Sequence, residues 1–242
     1  GACFPFSTFK NKKQDGLIIA DITSAAFCME IPWSDLDASA FSWQKGLGGE
    51  AGIGVLVLSP KAINRLETYK PSWPIPYLLQ LRDKKGVKFE IFQERTINTP
   101  SMISVEDFHN ALSWAKNQRG VKSVTAISKE NLNVIEEWVE KTDWVDFLTE
   151  EKDNRSSSTI VIKFIHPKIL SFTESKQRDF IQTIAKPLES NKVAYDIINH
   201  PFAPPSFRIW GGPTIKKEDL KLLLNWIDWS FQNSFSKINS NS

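Results

Sequence analysis

The chain has 242 residues, of which 41% are hydrophobic and 24% charged, a balance that supports a packed core and excludes a disordered or fibrous chain. Thirty basic residues against 28 acidic ones leave a formal charge of +2, too little for the electrostatic footprint of a nucleic-acid or anionic-membrane binder. Two cysteines, Cys3 and Cys28, supply neither a disulfide framework nor a CxxC pair, so a reducing, cytoplasmic setting is expected.

The amino terminus, Gly1 to Pro5, has no basic segment followed by an apolar one and does not read as a signal peptide. No apolar run approaches the roughly 18 residues that would span a membrane. Leu17 to Asp21 is a short continuous apolar run behind Gly16; it predicts a strand buried on both faces, as in a parallel sheet. Ala38 to Trp43 and Ile53 to Leu58 predict two more strands. Ser59-Pro60 then opens a helix that runs to about Tyr69, with serine as cap and proline in the first turn.

The Pro-rich stretch Tyr69 to Pro76 and the charged run Arg82 to Gly86 read as irregular surface. Thr99-Pro100 starts the next helix, in which Met102, Val105, Phe108, Leu112 and Ala115 recur at helical spacing until Gly120. A further helix is expected from about Lys129 to Lys141. The polar run Thr149 to Ser158 suggests a division into residues 1–148 and 149–242. Beyond it come a strand (Thr159 to Ile165), a helix (Thr173 to Leu188), strands near Val193 to Ile197 and Phe207 to Trp210, and a helix from Lys217 to Phe231. An Asn- and Ser-rich tail, expected to fray, follows. The expected class is α/β, a partial large domain with a mixed or mostly parallel sheet, followed by a small α+β domain.

Several chemistries drop out. The three histidines, His109, His166 and His200, are far apart, and there is no HExxH and no Cys/His cluster, so no metal site is expected. No GxSxG elbow or phosphate-binding GxxxxGK[ST] loop occurs. Gly46-Leu47-Gly48-Gly49 loosely matches a dinucleotide fingerprint, but these glycines lead into a strand where that fingerprint must open a helix. What remains is an aspartate at the end of one buried strand, Asp21, and Ser42-Trp43-Gln44-Lys45 followed by glycines at the end of another. Ligands of open α/β sheets sit at such carboxyl ends. A lysine among small residues has room for a planar cofactor, and desolvation would make its amine a Schiff-base nucleophile. Taken singly, each residue also has a plainer role: Lys45 as a solvated lysine, Asp21 as a turn former, Asn98-Thr99 as a helix cap and Arg208 as an ion-pair arginine.

Ala20-Asp21-Ile22-Thr23-Ser24-Ala25, Ser42-Trp43-Gln44-Lys45 with Gly48-Gly49-Glu50, Thr96-Ile97-Asn98-Thr99-Pro100-Ser101 and Phe207-Arg208-Ile209-Trp210-Gly211-Gly212 occur in that order. Together they resemble the phosphoserine aminotransferase family, class V aminotransferases of fold type I that depend on pyridoxal 5′-phosphate. The resemblance runs from Gly1 to about Trp229. It implies that Lys45 forms the Schiff base with the cofactor, that Asp21 partners the pyridine nitrogen and that Gln44 contacts the cofactor. It implies also that Asn98 and Thr99 reach the cofactor phosphate of the partner subunit in a homodimer, and that Arg208 holds the substrate α-carboxylate. The implied reaction moves an amino group from L-glutamate to 3-phosphohydroxypyruvate.

Two departures accompany the resemblance. Where the family carries an arginine for the substrate phosphate, this chain has Asn199-His200-Pro201-Phe202, so His200 is the substrate-binding candidate there. That change leaves a serine–pyruvate or alanine–glyoxylate transaminase as the alternative. The chain also starts in mid-fold relative to the family and lacks an initiator methionine, which reads as a carboxyl-terminal fragment that would be inactive alone.

Overall fold

A computed structural model describes residues 1–5, 15–93, 95–198 and 203–240, with Ser240 described by its backbone alone. The chain forms two compact units. One comprises Phe6–Ala26 and Glu30–Gln118; the other comprises Gly1–Pro5, Phe27–Met29 and Arg119–Ser242. They are called here the amino-proximal and carboxy-proximal units.

In the amino-proximal unit, β1 (Ile19–Asp21), β2 (Ala38–Ser42) and β3 (Gly54–Leu58) form a sheet in that order. β1 runs parallel to β2, with Ile19 opposite Ala38 and Asp21 opposite Ala40, while β2 and β3 are antiparallel. The mixed sheet expected from the sequence is therefore present. Its parallel register is locked by Asp37. The Asp37 amide donates to Ile18 O at 2.9 Å, and the Asp37 carboxylate accepts the Ile18 amide at 2.9 Å and the Ser59 hydroxyl at 2.9 Å. Lys61 Nζ lies 3.5 Å from the same carboxylate. Burial pushes the Asp37 carboxyl up, but the Ile18 amide, the Ser59 hydroxyl and the Lys61 ammonium outweigh it and leave it below the ordinary carboxylate value. Ser59 also caps helix α1 (Pro60–Thr68) by accepting from the Ala62 amide, so one carboxylate ties together β1, β2 and the start of α1.

The expectation that β1 is buried on both faces does not hold. Ile19 is 75% exposed and Ala20 only half-buried, so neither face of β1 is fully covered. The stretch expected to be irregular contains a small hairpin, β4 (Arg82–Asp83) with β5 (Gly86–Val87). Helix α2 (Met102–Asn117) begins later than Thr99-Pro100, since its cap is Ser101, whose hydroxyl accepts the Ser104 amide. The buried face is also rotated from the expected stripe. Ser104, Ala111 and Ala115 are buried, while Met102 is 64% exposed, because small side chains let the helix approach its neighbours closely.

In the carboxy-proximal unit, helix α3 (Val121–Val139) starts at Val121, well before Lys129. Gly120, with φ of 86°, both ends the preceding turn and serves as the cap. The longer helix was hidden because its buried side includes Thr125, Ser128 and Asn131 alongside Val124 and Ile135. Strands β6 (Val145–Phe147), β7 (Thr159–Phe164) and β8 (Ser206–Trp210) form an antiparallel sheet in that order. The short helix α4 (Pro167–Leu170), with α5 (Glu174–Ser190) and α6 (Lys217–Ser240), completes the unit. Ile135, Ile160, Ile162, Ile184, Leu188, Phe207 and Ile227 form its core, in which Trp144 stacks on Phe231 at 3.7 Å.

Two more expectations change here. Val193–Ile197 is not a strand, since Lys192 and Asp196 take left-handed backbone conformations (φ 59° and 56°) that interrupt extension. The Asn/Ser tail stays helical to Ser240 because Phe235 and Ile238 continue the buried stripe beyond Phe231. The polar run 149–158 connects β6 to β7 inside one unit, and Ser156, Ser157 and Ser158 within it are buried. The passage from one compact unit to the other comes at Gln118–Arg119.

The Asp37 carboxylate is the polar hub of the first sheet, so Asp37→Ala is expected to cost about 2–3 kcal/mol, the scale of a few charge-assisted hydrogen bonds. Because its pKa is lowered in the folded state, that contribution is complete above the ordinary carboxylate value and fades as pH falls through the lowered one. Urea titrations at neutral and strongly acidic pH would then show the variant and the parent differing at the first and converging at the second. A constant difference across pH would refute the assignment.

Candidate active site

Parallel pairing brings the carboxyl ends of β1 and β2 to one end of the sheet. Asp21 is the last residue of β1, and the turn 43–50 follows β2. The pairing continues one residue past β1, where the Ile22 amide donates to Ala40 O at 2.9 Å. Asp21 Oδ1 accepts both the Thr23 hydroxyl at 2.6 Å and the Thr23 amide at 2.9 Å. These two donors hold the carboxyl below its ordinary value against a small opposing effect of burial. Asp21 is thus a turn former and a firmly ionised carboxylate at once, and its side chain is exposed at the sheet end.

The turn after β2 is tightly closed. The Gly48 amide donates to Lys45 O and the Gly49 amide to Trp43 O, each at 3.0 Å. Gly48 adopts φ of 68°, a left-handed position that suits glycine. Ser42 Oγ donates to Ile53 O at 2.7 Å and ties the turn's entry to its return. Trp43, Gly46 and Leu47 are buried, while Gln44 and Lys45 are half-buried. Among the described residues, the buried Trp43 Nε1 and Gln44 Oε1 have no hydrogen-bond partner.

Helix α2 holds this turn from outside, a feature that the sequence reading missed. The Trp43 and Phe108 rings stack at 4.1 Å with planes 10° apart. The carboxylate of Asp107 accepts the Glu50 amide at 2.6 Å. A Cβ on Gly49 would fall 2.6 Å from Asp107 Oδ2 and 2.6 Å from Trp43 Cδ1, so the glycine is required by close approach. The only signal in the sequence was an aspartate placed inside an amphipathic helix, where its intrinsic propensity is poor.

The other candidates are distributed differently. Asn98 and Thr99 are exposed and precede α2, so the helix-start argument for an anion site passes to Ser101. Arg208 lies on β8 in the carboxy-proximal unit, opposite Val161, and its amide donates to Ile197 O at 2.6 Å. The end of β8 is fixed by Asn131, whose Nδ2 lies 3.1, 3.2 and 3.0 Å from Gly211 O, Gly212 O and Ile215 O. His200 lies outside the described residues, as does the rest of Asn199–Phe202. The structure therefore brings Asp21, Gln44 and Lys45 to one sheet end, with Arg208 on the other unit. Among the described residues, no group of three or more His, Cys, Asp or Glu side chains could hold a metal ion. No described helix is long and apolar enough to cross a membrane.

The sequence pattern of the family described as aminotransferase class-V matches residues 1–176. A phosphoserine aminotransferase of Methanosarcina mazei is 44% identical over 218 residues, covering 90% of this chain and 56% of that protein. A phosphoserine aminotransferase structure described for radiation damage of its Schiff base superposes with a TM-score of 0.72 at 16% identity, over 91% of this chain and 54% of that one. The pyridoxal-phosphate-bound phosphoserine aminotransferase of Trichomonas vaginalis gives 0.65 at 16% identity, over 90% and 55%. The fold is that of these aminotransferases, and the chain spans about half the length of the relatives it matches.

Because Thr23 supplies both hydrogen bonds to Asp21 Oδ1, Thr23→Val should raise the Asp21 pKa toward the ordinary carboxylate value by removing the hydroxyl donor. Carbon-detected NMR titration of the carboxyl group would follow it. An unmoved midpoint would mean that the turn does not control the ionisation.

Proposed function

The chain belongs to the class-V aminotransferases, and from that premise we propose that it carries the lysine-bearing part of a phosphoserine aminotransferase site that uses pyridoxal 5′-phosphate. The observation that supports this most strongly is the pairing of Asp21 and the Gln44-Lys45 turn at the carboxyl ends of two parallel strands. The residues present suit the cofactor. A carboxylate kept ionised by Thr23 matches a protonated pyridine nitrogen. The half-buried Gln44 has a buried Oε1 without a partner among the described residues, the kind of atom that a polar ligand satisfies. Gly48, exposed next to the Lys45 turn, adds no side chain that would crowd a flat ring.

When bound, the cofactor supplies an electron sink that acidifies the Cα–H bond of the substrate amino acid. The chain's own residues do the rest. Lys45 Nζ would hold the cofactor and, when released from it, would be the base for the Cα proton of the substrate. Asp21, kept ionised by Thr23, would favour the protonated form of the cofactor's pyridine nitrogen. Arg208 presents a planar fork to the substrate α-carboxylate, a bidentate task that lysine could not perform. Asn98 and Thr99 serve the cofactor phosphate of a partner subunit, which makes the working form a homodimer. The substrates are L-glutamate and 3-phosphohydroxypyruvate, the products 2-oxoglutarate and O-phospho-L-serine, and the setting is serine biosynthesis in the cytoplasm. His200 is the group assigned to the phosphate end of the substrate.

Reduction with borohydride after incubation with pyridoxal phosphate, followed by peptide mapping, tests the assignment. Lys45 is expected to carry the pyridoxyl group at least about tenfold above any other lysine, as selective Schiff-base lysines do, and Lys45→Ala to abolish that label. Scattered labelling would refute the site. Amino transfer from glutamate to 3-phosphohydroxypyruvate in preference to glyoxylate or pyruvate would support the substrate assignment, and the reverse preference would overturn it.

A further inference from the structure

Asp107 and Phe108 are adjacent on α2, outside the residues assigned to the reaction, yet they grip the two ends of the turn that carries Lys45. Phe108 meets the entry by stacking on Trp43 at 4.1 Å. Asp107 meets the exit by accepting the Glu50 amide at 2.6 Å. Between these two points the turn is closed on itself by the Gly48-to-Lys45 and Gly49-to-Trp43 hydrogen bonds. Little backbone freedom remains for Lys45. We propose that Asp107 and Phe108 are positioning residues for Lys45, clamping the 43–50 turn against α2 so that Nζ is presented in one fixed place.

Three features favour a clamp over incidental packing. An aspartate inside a helix is unfavourable by intrinsic propensity and is not at a cap here, since the cap is Ser101. Its contact is charge-assisted, which makes it among the stronger hydrogen bonds that a backbone amide can form. Gly49 lacks the Cβ that would collide with both Asp107 and Trp43, so the turn is shaped to receive the carboxylate. The effect of loosening the clamp is chemical as well as structural, because misplacing a reacting group by about 1 Å can cost about a hundredfold in rate.

The inference rests on Lys45 being the cofactor lysine, so the test includes a readout that does not need the cofactor. The full chain is compared with Asp107→Ala, Asp107→Asn and Phe108→Leu, and with Met102→Ala on the exposed part of the same helix. With pyridoxal phosphate, the readouts are the rate of borohydride-fixed labelling at Lys45 and the pH midpoint of the absorbance band of the loaded protein. Without it, the readout is amide hydrogen exchange in a peptide covering residues 43–50. Asp107→Ala and Phe108→Leu are expected to slow labelling about tenfold, to move the band midpoint and to speed exchange about tenfold, the scale of one lost charge-assisted hydrogen bond. Asp107→Asn, whose amide oxygen still accepts, should recover to within about threefold, and Met102→Ala should match the parent.

A folded Asp107→Ala protein with parental labelling, band midpoint and exchange would overturn the proposal. If the parent itself is not labelled at Lys45, the cofactor assignment fails, and exchange alone decides the clamp. Faster exchange in Asp107→Ala with recovery in Asp107→Asn would support it, and unchanged exchange would overturn it. If Asp107→Ala does not fold, Phe108→Leu carries the same comparison: parental labelling, band midpoint and exchange in it would overturn the proposal.

Discussion

The parallel register of β1 against β2 is the constraint on which the candidate site depends. A slip of one residue would turn every side chain of a strand to the opposite face, and Asp21 would no longer sit opposite Ala40 at the end from which the Lys45 turn departs. Such a short pairing has few ladder bonds of its own. Asp37 makes up the deficit at the far end of the strands, using both its backbone and its carboxylate on Ile18 and reaching Ser59 and Lys61. The end without chemistry is held by a charged hub, and the opposite end is left with polar groups available to a ligand.

The site end shows the complementary pattern. Asp21 Oδ1 accepts the amide and the hydroxyl of Thr23. Gln44 Oε1 and Trp43 Nε1 are buried without partners among the described residues. Arg82 Nε, Ser128 Oγ and Asn131 Oδ1 are likewise buried without partners, but the pair at Trp43 and Gln44 flanks Lys45, where a polar ligand could use that capacity. The rigidity comes from outside the turn, through Trp43 on Phe108 and Glu50 on Asp107. Rigid backbone with unmatched polar side chains is the condition for binding and orienting a small molecule without reorganisation.

The sequence made much of this legible. β2, β3, the Ser59 cap, β7, α5 with its Thr173 cap, and β8 all follow from local pattern and cap chemistry. Failures came where polar residues are buried. Thr125, Ser128 and Asn131 disguised the first half of α3, and Ser234 among asparagines disguised the end of α6. Val193–Ile197 looked extended from its β-branched residues, but positive φ values at Lys192 and Asp196 lie beyond what periodicity detects. Lys45, Gln44 and Asp21 could be singled out because strand ends and glycine runs are local signals. The contacts of Asp107 and Phe108 could not, since they join α2 to a turn more than fifty residues earlier, with Glu50 and Asp107 separated by 57 positions.

The central claim is that Asp21 and Lys45 address the same bound molecule from adjacent parallel strands. A crystal structure of the chain grown with pyridoxal 5′-phosphate tests it most directly. The account predicts continuous density from Lys45 Nζ to the cofactor, with an Asp21 carboxylate oxygen at about 2.8 Å from the pyridine nitrogen, the length of a charge-assisted hydrogen bond. Cofactor bound away from Lys45, or with its ring nitrogen facing any group other than Asp21, would contradict it.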